Sequence, residues 1–585
     1  MIIFGFVKRF LTIVFLLLCC RAQAAQVPPH PRLLVQPRTL QADAPWYARR
    51  ADSLICAFSN QVLEVAPVER TLKGRRLLGV SREALKRVFW LSYTYRAHGR
   101  EEYARRAVAE MLAVSRFPDW NPSHFLDVAE MTMALSIGYD WLYDRMTDRE
   151  RAQIGDAILE KGLKPALNPG DAWFYNTDIN WNSVCNAGMV YGALAVWERD
   201  PAFCREMLEK SLESSLLAYH AYSPEGGFAE GYNYWGYGTS FQIMLEAALN
   251  RPERIPENFL QSARFMRFMS TPSGRSFNFS DSYLSANFQY MQAWMSAVSG
   301  DKSLLYPELQ LFWEGARPAE ERLLPMFLLY WDPSTEINVP SDNVYTCGGT
   351  TPVYIYREGW ESEKDAYLGV KGGLSMSSHS HQDQGSFFFE ADGVAWATDL
   401  GMQEYNSLES VGLDLWDMTQ DSDRWDVFRI GPWSHNIITL NGHAPKVNHK
   451  ADFSRILSGP RNGAALDLTA LYDDDAVSYT REVYLEKGQL HIHDFVEAAD
   501  TVCTVRWAMC TEASARIEGD SIILEKDGVC RCLRGSADMV PWMGPATYPG
   551  PYLHPYDAPN PGKTMVGFTC TLPAHGKKHL HVTLK

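Results

Sequence analysis

Apolar residues recur at three- and four-residue spacing from about Pro28 to Pro340, and at a spacing of two after about Val344. In the first half, "SREALKRVFWLSYTYRAHGREEYARRAVAEMLAVSRF" predicts a helix capped by Ser81, and Thr147 is placed to cap another. "NAGMVYGALAVWERD", "PAFCREMLEKSLESSLLAYHAYS", "TSFQIMLEAALNR", "NFLQSARFMRFMS" and "NFQYMQAWMSAVSG" continue the rhythm. Many amphipathic helices with short connections predict helix pairs wound into a solenoid or toroid. In the second half, "VYIYREGW", "GSFFFEADGVAWATDLG" and "AVSYTREVYLEKGQLHIHDFVEA" read as strands. Asp392-Gly393, Asn441-Gly442, Lys487-Gly488 and Asp527-Gly528 supply hairpin turns. The fold class is therefore multidomain α + β. An (α/α) toroid of paired helices over 26–340 precedes an antiparallel β-sandwich over 341–585, with the boundary near "STEINVPSDN".

Residues 1–25 break both patterns. Lys8 and Arg9 precede an apolar run from Phe10 to Cys20, and Ala22-Gln23-Ala24 gives a small-x-small cleavage pattern. This reads as a secretory signal peptide, so the expected location is periplasmic; Cys19 and Cys20 carry less weight as a lipidation site. No other run is long enough to span a membrane. Nine cysteines follow, an odd number without a Cys-x-x-Cys pair, and predict mostly free, buried thiols. A net charge of −15 gives no overall basic field for nucleic acid. Eighteen Trp, 28 Tyr and 27 Phe suit a large core, and equally a cleft that stacks sugar rings.

Three segments concentrate chemistry. "SMSSHSHQDQGSFFFEADGVAWATDLG" holds His379, His381, Asp383 and Asp399. A strict hairpin at Asp392-Gly393 sets Asp399 opposite Ser386, which puts His381 and Asp399 on opposite faces. A bulge at Gly385, or a loop carrying both histidines, would bring them together. With His435 of "WSHNIITL" they form a two-nitrogen, one-oxygen set suited to Zn²⁺. The second His-x-His, His491 and His493 in "LHIHDF", lies in an alternating strand and reads as a solvated face. "DINWNSVCNAGMVYGAL" offers Asn180, Asn182 and Asn186, of which at least one is expected to cap a helix. "SPEGGFAEGYNYWGYGTSF" reads as a glycine-broken loop crowded with Tyr232, Tyr234, Trp235 and Tyr237, a setting typical of binding sites.

In that order, the three segments resemble the heparinase II/III-like polysaccharide lyases over nearly the whole chain after residue 25. The resemblance implies β-elimination at uronic acid residues of an acidic polysaccharide, a glycosaminoglycan first and alginate or another uronan second. It implies Asn182 as the group facing the carboxylate, Tyr237 as acid and base, and His379 as partner base. Asn180, Glu230, Tyr234 and Trp235 would surround the substrate, with Asn180 and Tyr234 able to stand in for Asn182 and Tyr237. A structural Zn²⁺ would fall on His381, Asp399 and His435. A tyrosine base would need its pKa lowered from about 10 by positive charge. A glycoside hydrolase, with a carboxylate pair drawn from Asp178, Glu225 and Glu230, is the alternative; a glycan-binding protein with a dead site is a third. Oligomerisation is compatible with all three.

Overall fold

The computed structural model describes residues 27–41, 43–313, 321–331, 336–548 and 554–585; the segment read as a signal peptide lies outside the described residues. No helix among the described residues is long and apolar enough to cross a membrane. The helices are α1 (Trp46–Leu63), α2 (Leu78–His98), α3 (Glu101–Ser115), α4 (Phe125–Trp141), α5 (Asp148–Ala157) and α6 (Asn180–Ala195). They continue with α7 (Pro201–Ser214), α8 (Gly231–Leu249), α9 (Glu257–Met269), α10 (Gln292–Ser299), α11 (Tyr306–Trp313) and α12 (Pro325–Tyr330). Alternate members pack together, α2 on α4, α4 on α6 and α6 on α8, while α3, α5 and α7 lie outside them. α12 returns to α1 and α2. This is the toroid of paired helices. Inner helices touch protein all round, so every residue of α4 is buried, whereas α3, α5 and α7 keep a polar outer face.

Helix starts differ from expectation in three places. α2 begins a turn before Ser81, where the Asp127 carboxylate accepts the Leu77 amide at 2.6 Å. A distant carboxylate replaces the local cap. None of Asn180, Asn182 and Asn186 caps α6, whose first turn follows Ile179. The "YNYWGYG" stretch is no loop: α8 runs through it from Gly231. Its glycines serve approach rather than breakage, since a Cβ on Gly238 would sit 3.3 Å from that of Asn180. Thr147 does cap α5, in a reciprocal capping box with Glu150.

The C-terminal domain is antiparallel throughout. A five-stranded sheet runs Val344–Cys347, Val353–Arg357, Tyr367–Lys371, Phe387–Ala391, Val394–Ala397 in spatial order. An eight-stranded and a four-stranded sheet complete the domain, with a two-stranded ribbon beside them. One face of the five-stranded sheet joins the helical core through Val353, Ile355, Tyr367 and Phe388. The other joins the sandwich core through Tyr354, Leu368, Val370, Phe387 and Phe389. A sheet covered on both sides needs no polar face, which explains the unbroken "FFFEA" where alternation was expected. All four predicted turn pairs have positive φ at both residues, as the mirror-image hairpin turns require. The nine cysteines after residue 26 are free, and five of them are buried.

The five-stranded sheet also anchors the irregular segment 270–291, which links α9 to α10. Buried Glu390 accepts from the Thr271 and Ser273 hydroxyls and the Ser273 amide at 2.8–2.9 Å. This ties the segment carrying Asp281 to the strand that follows the first histidine pair.

Candidate active site

A cleft of about 760 Å³ opens between the toroid and the C-terminal domain. Its helical wall is the start of α6 with Asn180 and Trp181, one face of α8 with Tyr234 and Tyr237, and Arg82 of α2. Its other wall is His379, with Tyr405, which opens the short helix Tyr405–Glu409, and Trp416 from the loop after it. Tyr234 and Tyr237 stand three residues apart on α8 and so share a face. Trp235 points the other way and is fully buried, so it lies outside the cleft lining.

The two asparagines separate in the same manner. Asn182 is fully buried, and its amide nitrogen donates to Phe174 O, Ser214 O and Ser214 Oγ at 2.9–3.2 Å. Its amide hydrogens are spent inside the toroid, and Asn182 does not line the cleft, although its Oδ1 is left without a partner. Asn180 lines the cleft, and its Oδ1 is buried without a partner. Glu230 is buried just ahead of α8, outside the lining; burial raises its carboxyl while His379 and Ser378 draw it down.

The two tyrosines stand in different company. The Tyr237 hydroxyl donates to Glu130 Oε1 at 2.9 Å, beneath the guanidinium groups of Arg82 and Arg322, which lie 4.8 and 5.4 Å from its ring centre. Glu130 in turn binds Arg322 at 2.6 Å and Arg82 at 3.1 Å. Positive charge is present as expected, but it is matched by the carboxylate. Burial first, and Glu130 second, push the Tyr237 hydroxyl well above its ordinary value against the pull of both arginines. Tyr237 therefore keeps its proton.

Tyr234 lies flat on His379, with ring centres 3.8 Å apart, and its hydroxyl is 2.6 Å from that of Tyr405. Tyr405 donates to Asp281 Oδ2 at 2.7 Å, and His379 Nδ1 lies 2.9 Å from the same oxygen. His379 itself is held at φ +59°, a left-handed conformation costing a non-glycine residue roughly 1–2 kcal/mol. Asp281 also meets His381 Nε2 at 3.2 Å through its other oxygen. Burial pushes the Asp281 carboxyl up, but the two histidines outweigh it and hold the group well below the usual carboxylate range. Asp281 and Tyr405, like Arg82, Arg322 and Glu130, were not singled out in the sequence. None belongs to a motif; the fold brings them in from five separate segments.

Behind His379 lie His381, Asp399 and His435, all buried, with one possible ligand atom of each within 4.8 Å of the others. The two histidines sit on loops, and Gly385 (φ +83°) with Ser386 shares hydrogen bonds to the single residue Lys371. A second irregularity follows on the neighbouring strand, where Phe389 pairs with Ala397 while Glu390 pairs with Ala395. His435 Nδ1 lies 2.6 Å from Asp399 Oδ2. Burial lowers the His435 imidazole, but Asp399 raises it further, and Asp399 is itself drawn down despite burial. His381 Nδ1 and His435 Nε2 are both buried without partners. Two orphaned ring nitrogens beside a carboxylate are the donors a tetrahedral divalent ion takes, so these residues fit a metal.

The arrangement offers an amide, two phenols and a carboxylate-buttressed imidazole around one groove. Such a set can hold a carboxylate and move protons on either side of it. Asp178, Glu225 and Glu230 do not line the cleft, so the carboxylate pair of a hydrolase is not built from them. Comparison with known proteins gives a consistent picture. Residues 354–566 match the family model Heparinase II/III-like, C-terminal, so the C-terminal domain carries a domain of that family. No curated protein matches the chain by sequence. Among solved structures, a heparinase III is similar over 95% of this chain and 94% of its own at 10% identity, with a TM-score of 0.58. The heparan sulfate lyase HepC from Pedobacter heparinus is similar over 93% and 91% at 12% identity, with a TM-score of 0.56. A Paenibacillus xanthan lyase reaches a TM-score of 0.50 at 8% identity, over 93% of this chain and 58% of its own.

Proposed function

We propose that the chain is a polysaccharide lyase that cleaves uronate-containing acidic glycans by β-elimination. The observation that carries this reading is the convergence of Asn180, Tyr234 and His379 on one cleft at the junction of two domains. The matched C-terminal domain and the lyases of similar fold support it, with heparan sulfate and related glycosaminoglycans first among substrates. Lys73, Arg75 and Arg76 also line the cleft, paired there with Glu404 and Glu409.

The C5 proton of a uronate is weakly acidic, and the reaction needs its carboxylate charge offset while the proton leaves. Asn180 stands where its amide can donate to that carboxylate; Asn182 does not. His379 Nδ1 faces Asp281, which directs its Nε2 lone pair outward as the base. Tyr234, packed on that imidazole and protonated by virtue of its burial, is placed to give its proton to the departing glycosidic oxygen. Tyr237 is assigned to shaping the groove, because its hydroxyl bonds a carboxylate already held by two arginines, whereas Tyr234 bonds the Tyr405 hydroxyl and packs on His379. His381, Asp399 and His435 would hold a Zn²⁺ that fixes the loop presenting His379; the ion supplies positive charge to that loop and no chemistry to the substrate. The leader-like residues 1–25 support export, and we place the enzyme in the periplasm.

The test is ultraviolet absorbance of a new unsaturated uronate when the purified chain meets heparan sulfate, heparin, chondroitin sulfates, hyaluronan, alginate or pectin. A rise with one of these establishes elimination and identifies the glycan. New reducing ends without absorbance would transfer the reading to hydrolysis.

A further inference from the structure

The second His-x-His does not stand alone. His491 and His493 lie on the strand Gln489–Ala498, and the neighbouring strand Lys577–Leu584 carries another pair, His579 and His581. The two strands are antiparallel, with His493 directly opposite His581 and Phe495 opposite His579. Alternation puts all four imidazoles on one side of the eight-stranded sheet, the side turned away from its core. His579 is exposed and the other three are partly so. A solvated face would spread its side chains into water. These rings instead stack, with His493 and His581 centres 4.0 Å apart and their planes within 11°.

The nitrogens meet as closely as the rings. His491 Nδ1 lies 3.2 Å from His581 Nε2, and His493 Nδ1 lies 2.7 Å from His579 Nε2. Ligand bonds of about 2.0–2.1 Å in a tetrahedral site put neighbouring nitrogens about 3.3 Å apart, close to the first of these separations. His491, His493 and His581 each offer a nitrogen within 4.8 Å of the others. Tyr484 is buried beneath them, and its hydroxyl lies 2.9 Å from His493 Nε2. That bond occupies one ring nitrogen and leaves Nδ1 toward the cluster, as outer partners of metal-bound histidines do. Among the described residues, no carboxylate hydrogen-bonds any of the four rings.

We propose that His491, His493 and His581, with His579 beside them, form a second metal site that takes a late first-row divalent ion such as Zn²⁺, Ni²⁺ or Cu²⁺. All-imidazole ligation favours these ions over Mg²⁺ or Ca²⁺, which take oxygen. It is separate from the His381–Asp399–His435 set, being built on different strands and lacking a carboxylate.

The test uses the untagged full chain, stripped with a chelator and dialysed against micromolar Zn²⁺. A His435→Ala chain isolates the second site and is expected to retain one equivalent by elemental analysis. Adding His493→Asn and His581→Asn to it should remove that equivalent, with an unchanged circular dichroism spectrum showing that the sheet survives. Cu²⁺ loaded into the His435→Ala chain should give the electron paramagnetic signature of several equatorial nitrogens, and lose it in the triple variant. A His435→Ala chain that binds no Zn²⁺, or a folded triple variant that still binds it, would overturn the proposal.

Discussion

Two of the His-x-His pairs in the C-terminal domain, His379/His381 and His491/His493, look alike in the sequence and sit in opposite surroundings. His379 and His381 lie on a buried loop and share a carboxylate, Asp281, that comes from the helical half of the chain. His491 and His493 lie on a regular strand, where they hydrogen-bond a tyrosine and two more histidines. The first pair is oriented from behind by an anion, which fixes one ring nitrogen and presents the other. The second pair stacks against two further imidazoles on the next strand. What a histidine pair does is thus decided by the group facing its second nitrogen, and that group is far away in sequence.

The sharpest way to break this contrast is to remove the anion and keep its shape. Asp281→Asn leaves the size of the side chain and takes away the charge that positions His379. We expect turnover to fall roughly 10²–10⁴-fold while the circular dichroism spectrum is retained. An unchanged rate on the glycan that the screen identifies would show that His379 is not held for catalysis.

The next effect separates the two tyrosines. Tyr234→Phe removes the hydroxyl beside His379 and should cost a comparable factor, with little change in folding. Tyr237→Phe removes a hydroxyl already bound to Glu130, and should cost about tenfold or less. Equal and large losses would return Tyr237 to the chemistry that its sequence position suggested. The comparison is cleanest when both variants are assayed at one substrate concentration well below saturation.

The fold was legible because periodicity is a local property. The change from a helical period to a period of two matches the passage from helices ending at Tyr330 to strands starting at Val344, and the four turn pairs all form turns, three of them joining paired strands. The site was legible in part. Of the residues that the motifs and the resemblance suggested, Asn180, Tyr234, Tyr237 and His379 line the cleft, and His381, Asp399 and His435 gather as one group. Asn182, Glu230 and Trp235 lie outside the lining, because a motif does not reveal which side of a helix faces a cleft. Asp281, Tyr405 and Glu130 had no local signal, since each acts through a contact spanning tens to more than a hundred residues. The four-histidine cluster shows the same limit. Each His-x-His is visible alone, but strand order places them side by side.

A converse case tests the rule on stability. Glu308 is a buried carboxylate that pairs with no cation among the described residues; one oxygen accepts the Gln289 amide at 2.6 Å and the other has no partner there. Burial raises it to about 8, where the histidine-paired Asp399 is lowered instead. Because the folded-state value lies above the unfolded one, the native state holds the extra proton. Its contribution is complete below the ordinary carboxylate range and is lost as pH rises toward about 8. Glu308→Gln should remove this loss, changing the pH dependence of the unfolding free energy by on the order of 3 kcal/mol. Denaturant melts of both chains across that range would show it; parallel curves would mean that Glu308 has found a counter-charge.

The smallest effect is expected at the second pair. His493 touches neither the cleft nor Asp281, and its ring is partly exposed on the far sheet. His493→Asn should leave turnover within about twofold of the parent and shift stability by about 0.5–1 kcal/mol, the scale of a partly buried polar contact. Measured beside Asp281→Asn on the same substrate, it sets the baseline for a histidine that no carboxylate orients. A loss of turnover comparable to that of Asp281→Asn would mean that the eight-stranded sheet is coupled to the cleft through the shared core that joins it to the five-stranded sheet.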